Sequence, residues 1–348
     1  MIRKLHIQNF KSIKDLELDC ARVNVFIGEP NTGKSNILES LGTFTLSLLR
    51  GKGNILPRKL IRMEKNYHIF FNENTEEKIN IDIELDNYSK IFTLWTYTSE
   101  GIVNSEFSDS SEDILRKHKF LSFDSNLSLQ VHFNLDQALP IRFFKFEQKK
   151  DYSGREGNFL TPPDGDNLPQ MIRLKSEIKE FVHDLFAEYG YKVNIDKHEN
   201  NISIYRESHI SESLPYFLSS DTIQRIIFFY TAIETNKNAV LIFEEPESHV
   251  FPFYNKFLAE RIALYNTNQF FIATHNPTFL ANFIEQTPDE ELKIFITYYE
   301  DYQTKVFELS GGKLHEAYKI FGVDIFANLD KIVKHLDKII EKEKEDSL

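Results

Sequence analysis

Hydrophobic and polar positions alternate near the start of the chain, whereas its second half contains continuous apolar runs. The segments IRKLHIQNF (2–10) and LELD (16–19) alternate with a period of two, which predicts paired strands around the turn KSIKD. VNVFIG (23–28) predicts a buried strand that ends in glycine, and SNILESLGTFTLSLL (35–49) predicts a helix. The chain therefore opens with a strand, a glycine-rich turn and a helix.

The middle of the chain predicts short antiparallel strands. From about residue 67 to 146 short runs alternate, as in KINIDIELD (78–86) and IFTLWTY (91–97). A turn cluster, NFLTPPDGDNLPQ (158–170), then precedes a predicted helix at 170–190. These patterns indicate an antiparallel β lobe within a longer α/β chain.

Two buried strands dominate the second half of the chain. AVLIF (239–243) and QFFIATH (269–275) predict strands separated by a helix at 254–265, and another helix is predicted at 218–235. The last segment, 329–348, carries an apolar helical stripe that serves either as core or as a partner surface. The stripe consists of Leu329, Ile332, Val333, Leu336, Ile339 and Ile340.

The predicted organisation has four segments. They are the first part of a core (1–66), a β-rich lobe (67–157), the second half of the core (158–312) and a helical C-terminal segment (313–348). Strands that alternate with helices in the two core segments predict an α/β fold, with a mixed sheet flanked by helices.

Composition narrows the class of protein. With 348 residues and 41% hydrophobic positions, the chain can bury a substantial core, and its one cysteine, Cys20, excludes an internal disulfide framework. The first residues have no apolar signal core, and the longest apolar run, 226–233, is too short to span a bilayer. We expect a soluble cytoplasmic protein with no membrane partner.

The charge of the chain argues against non-specific coating of nucleic acid. The net charge is −12, so electrostatic attraction to phosphate would need a local basic groove. The stretches RKLIRMEK (58–65) and KFEQKK (145–150) are the candidates for such a groove, although a solvated face is the simpler explanation of each. Nucleic-acid binding stays open at this point.

The stretch GEPNTGKS (28–35) fits the phosphate-loop pattern and lies between a predicted strand and a predicted helix, as the mechanism requires. Glycines let the loop curl so that its N–H groups face phosphates, Lys34 reaches the β- and γ-phosphates, and Ser35 offers a hydroxyl to Mg²⁺. The predicted cofactors are thus ATP and Mg²⁺. The predicted nucleotide-binding residues here are Gly28, Glu29, Pro30, Asn31, Thr32, Gly33, Lys34, Ser35 and Asn36.

Two adjacent glutamates end the buried strand at 239–243. A phosphate loop pairs with an acidic residue at the end of a neighbouring strand, so Glu244 is the predicted metal ligand together with Ser35. Glu245 is then free to polarise an attacking water. The alternative is a strand that runs out into an acidic solvated turn.

Two histidines follow these carboxylates. His275 in ATHNP stands at the tip of a buried strand and is a candidate sensor of the γ-phosphate, so the predicted catalytic residues are Lys34, Glu245 and His275. His249 lies just past the acidic turn, where a functional role and a helix-start role are equally supported.

Together these motifs resemble the ABC-type ATPase heads of the SMC, RecF and OLD group, and especially the small AAA-type ATPases found beside bacterial phage-defence genes. The matching stretches are FKSIKDLEL, GEPNTGKSN, LIFEEPESHVFP and FIATHNPTFL, and TPPDGDNLP resembles a turn of those small ATPases. The resemblance implies a P-loop NTPase fold of ABC type, a Walker B strand ending in Glu244, a hydrolytic Glu245, and a D-loop near Glu247 and Ser248. It also implies nucleotide contacts for Lys11 and Ser12.

The chain departs from this family in two places. Glutamate replaces the usual aspartate at Glu244. LSSDTIQR (218–225) stands at the signature motif, where Ser219 and Ser220 would contact ATP held by a second subunit, but Asp221 replaces the expected glycine. This stretch is alternatively a polar helix start. The Q-loop glutamine is Gln137 or Gln148.

The resemblance implies an ATP-driven switch that forms a homodimer, or a higher oligomer, around ATP. A separate effector such as a nuclease or a toxin would then act in bacterial anti-phage defence. The alternative is a RecF-like DNA-binding ATPase of repair or recombination. A transporter motor and a small-molecule kinase fit these motifs less well.

Overall fold

Strands and short helices alternate along most of the chain. The computed structural model describes residues 1–49, 57–109, 117–135, 139–154, 157–206 and 209–346. The strands are β1 (Ile2–Phe10), β2 (Ile13–Asp19), β3 (Val23–Gly28), β4 (Ile79–Leu85), β5 (Lys90–Tyr97), β6 (Val103–Asp109), β7 (His118–Phe123), β8 (Leu129–Val131), β9 (Ile141–Phe144), β10 (Lys192–Asp196), β11 (Asn201–Arg206), β12 (His209–Pro215), β13 (Val240–Glu244), β14 (Gln269–Ala273), β15 (Leu292–Glu300) and β16 (Gln303–Leu309). The α-helices are α1 (Lys34–Thr45), α2 (Leu168–Leu174), α3 (Ser176–Ala187), α4 (Asp221–Thr235), α5 (Pro252–Leu264), α6 (Pro277–Gln286), α7 (Gly311–Phe321) and α8 (Leu329–Asp346).

A six-stranded mixed sheet carries the candidate site. Its order is β16-β15-β3-β14-β13-β9, with β15, β3, β14, β13 and β9 parallel and β16 antiparallel at one edge. The carboxyl ends of the parallel strands therefore meet at one edge of the sheet, where the loops after β3, β13 and β14 lie. The predicted α/β fold with a mixed sheet is confirmed.

Alternate residues of these strands face two different cores. In β13, Leu241 and Phe243 belong to a core formed with the helices of the second half of the chain. Val240 and Ile242, one position out of step, belong to a core shared with α1 and the antiparallel sheet. Because side chains alternate across a strand, a run that is apolar at every position is buried on both faces.

The antiparallel strands form a seven-stranded sheet of order β2-β1-β4-β5-β6-β7-β8. The predicted boundary between residues 66 and 67 therefore runs through one sheet, because β1 pairs with both β2 and β4. Within the predicted lobe of 67–157, β9 instead pairs with β13 in the six-stranded sheet. Strands β10, β11 and β12 form a small third sheet.

Several elements differ from the sequence-based expectation. The helix predicted at 170–190 is two helices, α2 and α3, because Lys175 between them has extended backbone angles. Both helices nevertheless bury apolar side chains in the same core. Helices α6 and α7 and the hairpin of β15 and β16 were not predicted from the pattern of apolar positions.

The C-terminal stripe is at least partly core. Leu329, Ile332 and Leu336 are buried in the helical core, and Val333 packs against it. The side chains of Ile339 and Ile340 lie outside the described residues. Among the described helices, none combines the length and the apolar character needed to cross a membrane.

Candidate nucleotide-binding site

The loop between β3 and α1 has the curled backbone expected of a phosphate loop. Gly33 has φ 99° and Asn31 has φ 64°, both in the region that glycine and asparagine tolerate best. The hairpin of β15 and β16 also presses on this loop, since a Cβ added to Gly33 would lie 2.0 Å from Thr304 Oγ1. A Cβ on Gly28 would lie 2.3 Å from Thr297 Oγ1. Backbone conformation and close packing therefore both require glycine at position 33.

Lys34 reaches back across its own loop. Its Nζ donates hydrogen bonds of 2.8 Å to the carbonyl oxygens of Gly28 and Glu29. Burial lowers the pKa of Lys34 to about 8, although Glu245 and Glu244 oppose that shift. Lys34 is also the first residue of α1, whose N-terminal end favours anions. An ammonium group and a helix N-terminus thus converge on the loop.

Hydroxyl and amide groups connect the P-loop to the turn between β1 and β2 and to the hairpin of β15 and β16. Asn36 Nδ2 donates to Ser12 Oγ at 2.6 Å, and Ser12 Oγ lies 2.7 Å from Thr304 Oγ1. Thr32 Oγ1 lies 2.6 Å from Thr297 Oγ1. Ser12 is thus brought to the loop, where a cavity of about 740 Å³ is lined by Ser12 and by the loop residues 29–32. Neither threonine was predicted as a site residue.

Lys11 lies in a buried ion-pair cluster. Its Nζ bonds the carboxylate of Glu39 and, at 2.6 Å, the carbonyl oxygen of Arg62. Glu39 has no solvent exposure, and its second oxygen accepts from Arg62 Nε at 2.8 Å. Burial lowers the pKa of Lys11, and Glu39 opposes that shift. Contact of Lys11 with nucleotide stays a prediction.

Glu244 ends β13 beside Ser35, so the two predicted metal ligands are neighbours. Burial raises the pKa of Glu244, but Lys145, a hydrogen bond from Ser35 and Arg62 outweigh it and lower the pKa. Arg62 Nη2 lies 3.0 Å from Glu244 Oε1, and Lys145 Nζ lies 3.5 Å from Glu244 Oε2. Arg62 and Lys145 were not predicted as site residues.

The donors present fit a hard divalent cation. A serine hydroxyl and a carboxylate both supply oxygen, and Mg²⁺ at such sites takes its other ligands from water and phosphate. Across the described ranges, no group of three His, Cys, Asp or Glu side chains could hold a metal ion unaided. Ser35 and Glu244 are therefore the residues that would hold the ion.

Glu245 and His275 meet at the ends of β13 and β14. His275 Nε2 lies 3.5 Å from Glu245 Oε1, and Ser248 Oγ donates to Glu245 Oε2 at 3.1 Å. Glu245 has a positive φ of 46°, and its N–H donates to the carbonyl oxygen of Ala273 at 2.9 Å. Burial and the nearby Lys34 lower the pKa of His275, against the effect of Glu245. The lowered pKa favours the neutral form of the imidazole.

Glu247 is buried behind this pair. The hydroxyl of Thr274 donates to Glu247 Oε1, and the N–H of His275 reaches the same oxygen at 3.4 Å. Within the described part of the chain the other carboxylate oxygen has no hydrogen-bond partner. Burial raises the pKa of Glu247 to about 7. Glu247 thus connects the loop after β13 with the segment that carries His275.

The signature-like segment lies apart from the P-loop of its own chain. Ser219 and Ser220 line an apolar groove, and no hydrogen bond or ion pair among the described residues connects them to the P-loop. Asp221 begins α4, and its Oδ2 lies 3.6 Å from Arg225 Nε. The carbonyl oxygen of His249 accepts from Thr222 Oγ1 at 2.9 Å, which connects the start of α4 to the loop after β13.

Lys145, rather than either predicted Q-loop glutamine, contacts Glu244 in the described part of the chain. Gln137 lies outside the described residues. Gln148 donates to the carbonyl oxygen of Phe217 at 3.3 Å, toward the signature-like segment. Lys145 follows β9 directly and is the side chain that reaches Glu244 from this strand.

The two basic stretches are largely neutralised. Lys59 lies 3.0 Å from Asp164, and Lys149 lies 3.0 Å from both Asp164 and Asp166, which belong to the TPPDGD turn. Arg62 and Lys145 are paired with Glu244. Because these four basic side chains are already paired with carboxylates, they do not offer unpaired positive charge to nucleic acid.

Comparison with known proteins agrees with this geometry. Residues 23–281 match the family described as "AAA domain, putative AbiEii toxin, Type IV TA system". The chain is 25% identical over 262 residues to a DNA replication and repair protein RecF of Clostridium tetani, covering 68% of this chain and 62% of that protein. It is 21% identical over 325 residues to an ATP/GTP phosphatase of Helicobacter pylori, covering 80% of this chain and 86% of that protein.

A solved structure shares the fold. An SMC head bound to the C-winged helix domain of ScpA has a TM-score of 0.55 and 16% identity, and the match covers 90% of this chain and 99% of that one. The family model matches well over half of the chain, and the resemblance inferred from the motifs is confirmed. The chain therefore belongs to this AAA-domain family, within the ABC-type ATPases of the SMC, RecF and OLD group.

Proposed function

We propose that the chain binds ATP with Mg²⁺ at the P-loop and hydrolyses it to ADP and phosphate. The arrangement of two side-chain pairs supports this most. Ser35 lies beside Glu244 and lowers the pKa of its carboxyl group, and His275 Nε2 lies 3.5 Å from Glu245 Oε1, at the sheet edge that also carries Lys34. This arrangement supports separate roles for the two carboxylates, Glu244 at the metal and Glu245 at the attacking water.

Each side chain has a role that its chemistry supports. In this structure Lys34 Nζ donates hydrogen bonds of 2.8 Å to two carbonyl oxygens of the loop. When ATP binds, it would exchange them for phosphate oxygens. Mg²⁺, when held by Ser35 and Glu244, neutralises phosphate charge. Glu245, about half exposed, can accept a proton from water, and a neutral His275 can donate a hydrogen bond to the terminal phosphate.

We further propose that two copies close around ATP, as a homodimer or within a higher oligomer. Ser219 and Ser220 precede the N-terminal end of α4, an end that favours anions, yet they make no bond to their own P-loop among the described residues. A second copy would supply the phosphate that they contact. Opening and closing of the pair would make the protein a switch.

The proposed output is control of a separate effector, such as a nuclease or a toxin, in bacterial anti-phage defence. The description of the family names a putative toxin of a type IV toxin–antitoxin system, which supports a defence setting. This part of the proposal rests on family analogy. A cytoplasmic setting is part of the same proposal.

The second candidate is a RecF-like DNA-binding ATPase. The RecF relative from Clostridium tetani favours it, although this chain spans only 62% of that relative. The pairing of Lys59 and Lys149 with aspartates argues against a basic groove. Salt-dependent binding of duplex DNA that requires ATP would favour this candidate over effector control.

The central experiment compares Lys34→Ala with Lys14→Ala, an exposed lysine outside the P-loop. ATP binding by fluorescence titration and phosphate release are measured, with circular dichroism to verify the fold. Lys34→Ala should abolish nucleotide binding with the fold intact, whereas Lys14→Ala should match the wild type. Normal ATP affinity in folded Lys34→Ala would refute the assignment.

A further inference from the structure

The end of β9 places a lysine beside the predicted metal ligand. β9 and β13 are parallel, and Phe144 is in register with Phe243, so the next residues of the two strands are Lys145 and Glu244. The N–H of Lys145 donates to the carbonyl oxygen of Pro163 at 2.8 Å, which anchors this backbone position. Ligands of α/β sheets bind outside the carboxyl ends of the strands. Lys145 therefore lies at the edge where the nucleotide is proposed to bind.

Glu244 is held between two cations. Lys145 Nζ lies 3.5 Å from Oε2 and Arg62 Nη2 lies 3.0 Å from Oε1, while the side chains of Lys145 and Glu244 are each 20% exposed. A divalent cation that arrived alone would meet both positive charges beside its carboxylate ligand. Like charges at such distances repel each other strongly in a partly dehydrated site.

If Glu244 binds Mg²⁺, Lys145 loses its carboxylate partner and needs another anion. A partly buried ammonium group is costly without a counter-charge. The ammonium nitrogen of Lys145 also lies over the ring of Phe143, 4.7 Å from its centroid, which favours a position at this edge. The anion that enters together with Mg²⁺ is the triphosphate itself. In the proposed binding mode, its terminal phosphate would lie nearest to Glu244 and Glu245.

We propose that Lys145 is a phosphate-binding residue that pairs with Glu244 in the nucleotide-free protein and with the terminal phosphate of ATP in the bound state. The assignment rests on the proposed function. The ammonium group of Lys145 would act as a compact point charge on the phosphate. One consequence is that Mg²⁺ binds with the nucleotide and weakly without it.

The test compares Lys145→Met with Lys150→Met, both in a Glu245→Gln background, in which ATP hydrolysis is expected to be slow. Lys150 is exposed and only five positions further along the same segment, which makes it a matched control. Fluorescent ATP and ADP are titrated in the presence of Mg²⁺. Lys145→Met should weaken ATP binding by about 10-fold or more and ADP binding by less than about 3-fold, as expected for loss of one charge-assisted contact to the third phosphate. Lys150→Met should change neither.

Calorimetric titration of Mg²⁺ alone gives a second readout without nucleotide. Lys145→Met should bind Mg²⁺ more tightly than its parent, because one of the two competing cations is gone. Equal losses for ATP and ADP, or tighter Mg²⁺ binding with unchanged ATP affinity, would reduce Lys145 to a counter-charge for Glu244 and overturn the assignment. A parent protein that binds no ATP at all would instead contradict the proposed function itself.

Discussion

His275 Nε2 lies 3.5 Å from Glu245 Oε1, across the ends of two neighbouring parallel strands. We expect Glu245 to take a proton from water and His275 to contact the terminal phosphate of ATP, so that the two side chains act together. Lys34 influences this pair too, because it lowers the pKa of His275 and is itself influenced by Glu245. The pair therefore depends on the P-loop as well as on β13 and β14.

Glu245→Gln should keep ATP binding and lose hydrolysis by roughly 10²-fold or more, because an amide cannot accept the proton. Phosphate release under single-turnover conditions and ATP titration measure the two effects separately. Glu244→Gln should weaken Mg²⁺-dependent binding instead. A Glu244→Gln protein trapped with ATP, beside a Glu245→Gln protein that still turns over, would reverse the two roles.

Asp221 is expected to oppose closure of the dimer. Facing a partner's γ-phosphate at about 4 Å, its carboxylate would cost on the order of 4 kcal/mol at an effective dielectric constant near 20. Arg225 offsets part of this, since its Nε lies 3.6 Å from Asp221 Oδ2. Asp221→Gly in a Glu245→Gln background should therefore strengthen ATP-dependent dimerisation, and Asp221→Asn should have an intermediate effect.

Sedimentation across a concentration series, with and without ATP, measures this association. Dimerisation that is unchanged or weaker in Asp221→Gly would mean that Asp221 serves only the start of its own helix, where an acidic residue is favourable. The ATP-free samples are the control, because the proposed repulsion requires nucleotide.

Glu247 should make stability depend on pH. Burial raises its pKa from 4.5 to about 7, so between these values the folded protein retains a proton that the unfolded chain has lost. The free energy of unfolding therefore falls as pH rises through this window, by an amount on the order of 3 kcal/mol. Glu247→Gln should remove this fall, because the amide is neutral throughout.

Urea unfolding at a series of pH values between 4 and 8 measures the effect, with the exposed Glu290→Gln as a control that keeps the wild-type profile. A Glu247→Gln protein with the same pH dependence as the wild type would show that Glu247 ionises normally in the fold.

Arg22 holds the end of α5. Its guanidinium donates to the carbonyl oxygens of Ile262 and Tyr265 at 3.0 Å and of Ala263 at 2.5 Å, and Nε pairs with Glu291 at 2.7 Å. Arg22→Met should destabilise the protein by about 3 kcal/mol, because buried carbonyl groups lose their partner. Glu291→Gln should cost under about 1 kcal/mol, since that carboxylate is partly exposed. Similar losses for both variants, measured by urea unfolding, would contradict this account.

Much of the site follows from local pattern. The run VNVFIG, the glycines and Lys34 predict strand, loop and helix, because each constraint acts between residues close in the chain. Likewise, acidic and histidine residues that directly follow buried strands can be expected to meet, since parallel strands end at one edge of a sheet. Glu245 and His275 meet in this way.

Other features depend on which distant segments pair. The alternating pattern of β1 does not predict that β4 pairs with it. Likewise, the sequence of β15 and β16 does not predict that Thr304 packs against Gly33. Lys145 and Arg62 read as ordinary basic residues until the fold brings them to Glu244. A periodic pattern records which face of an element is buried, but the neighbour that covers that face is selected by packing and charge across the whole fold.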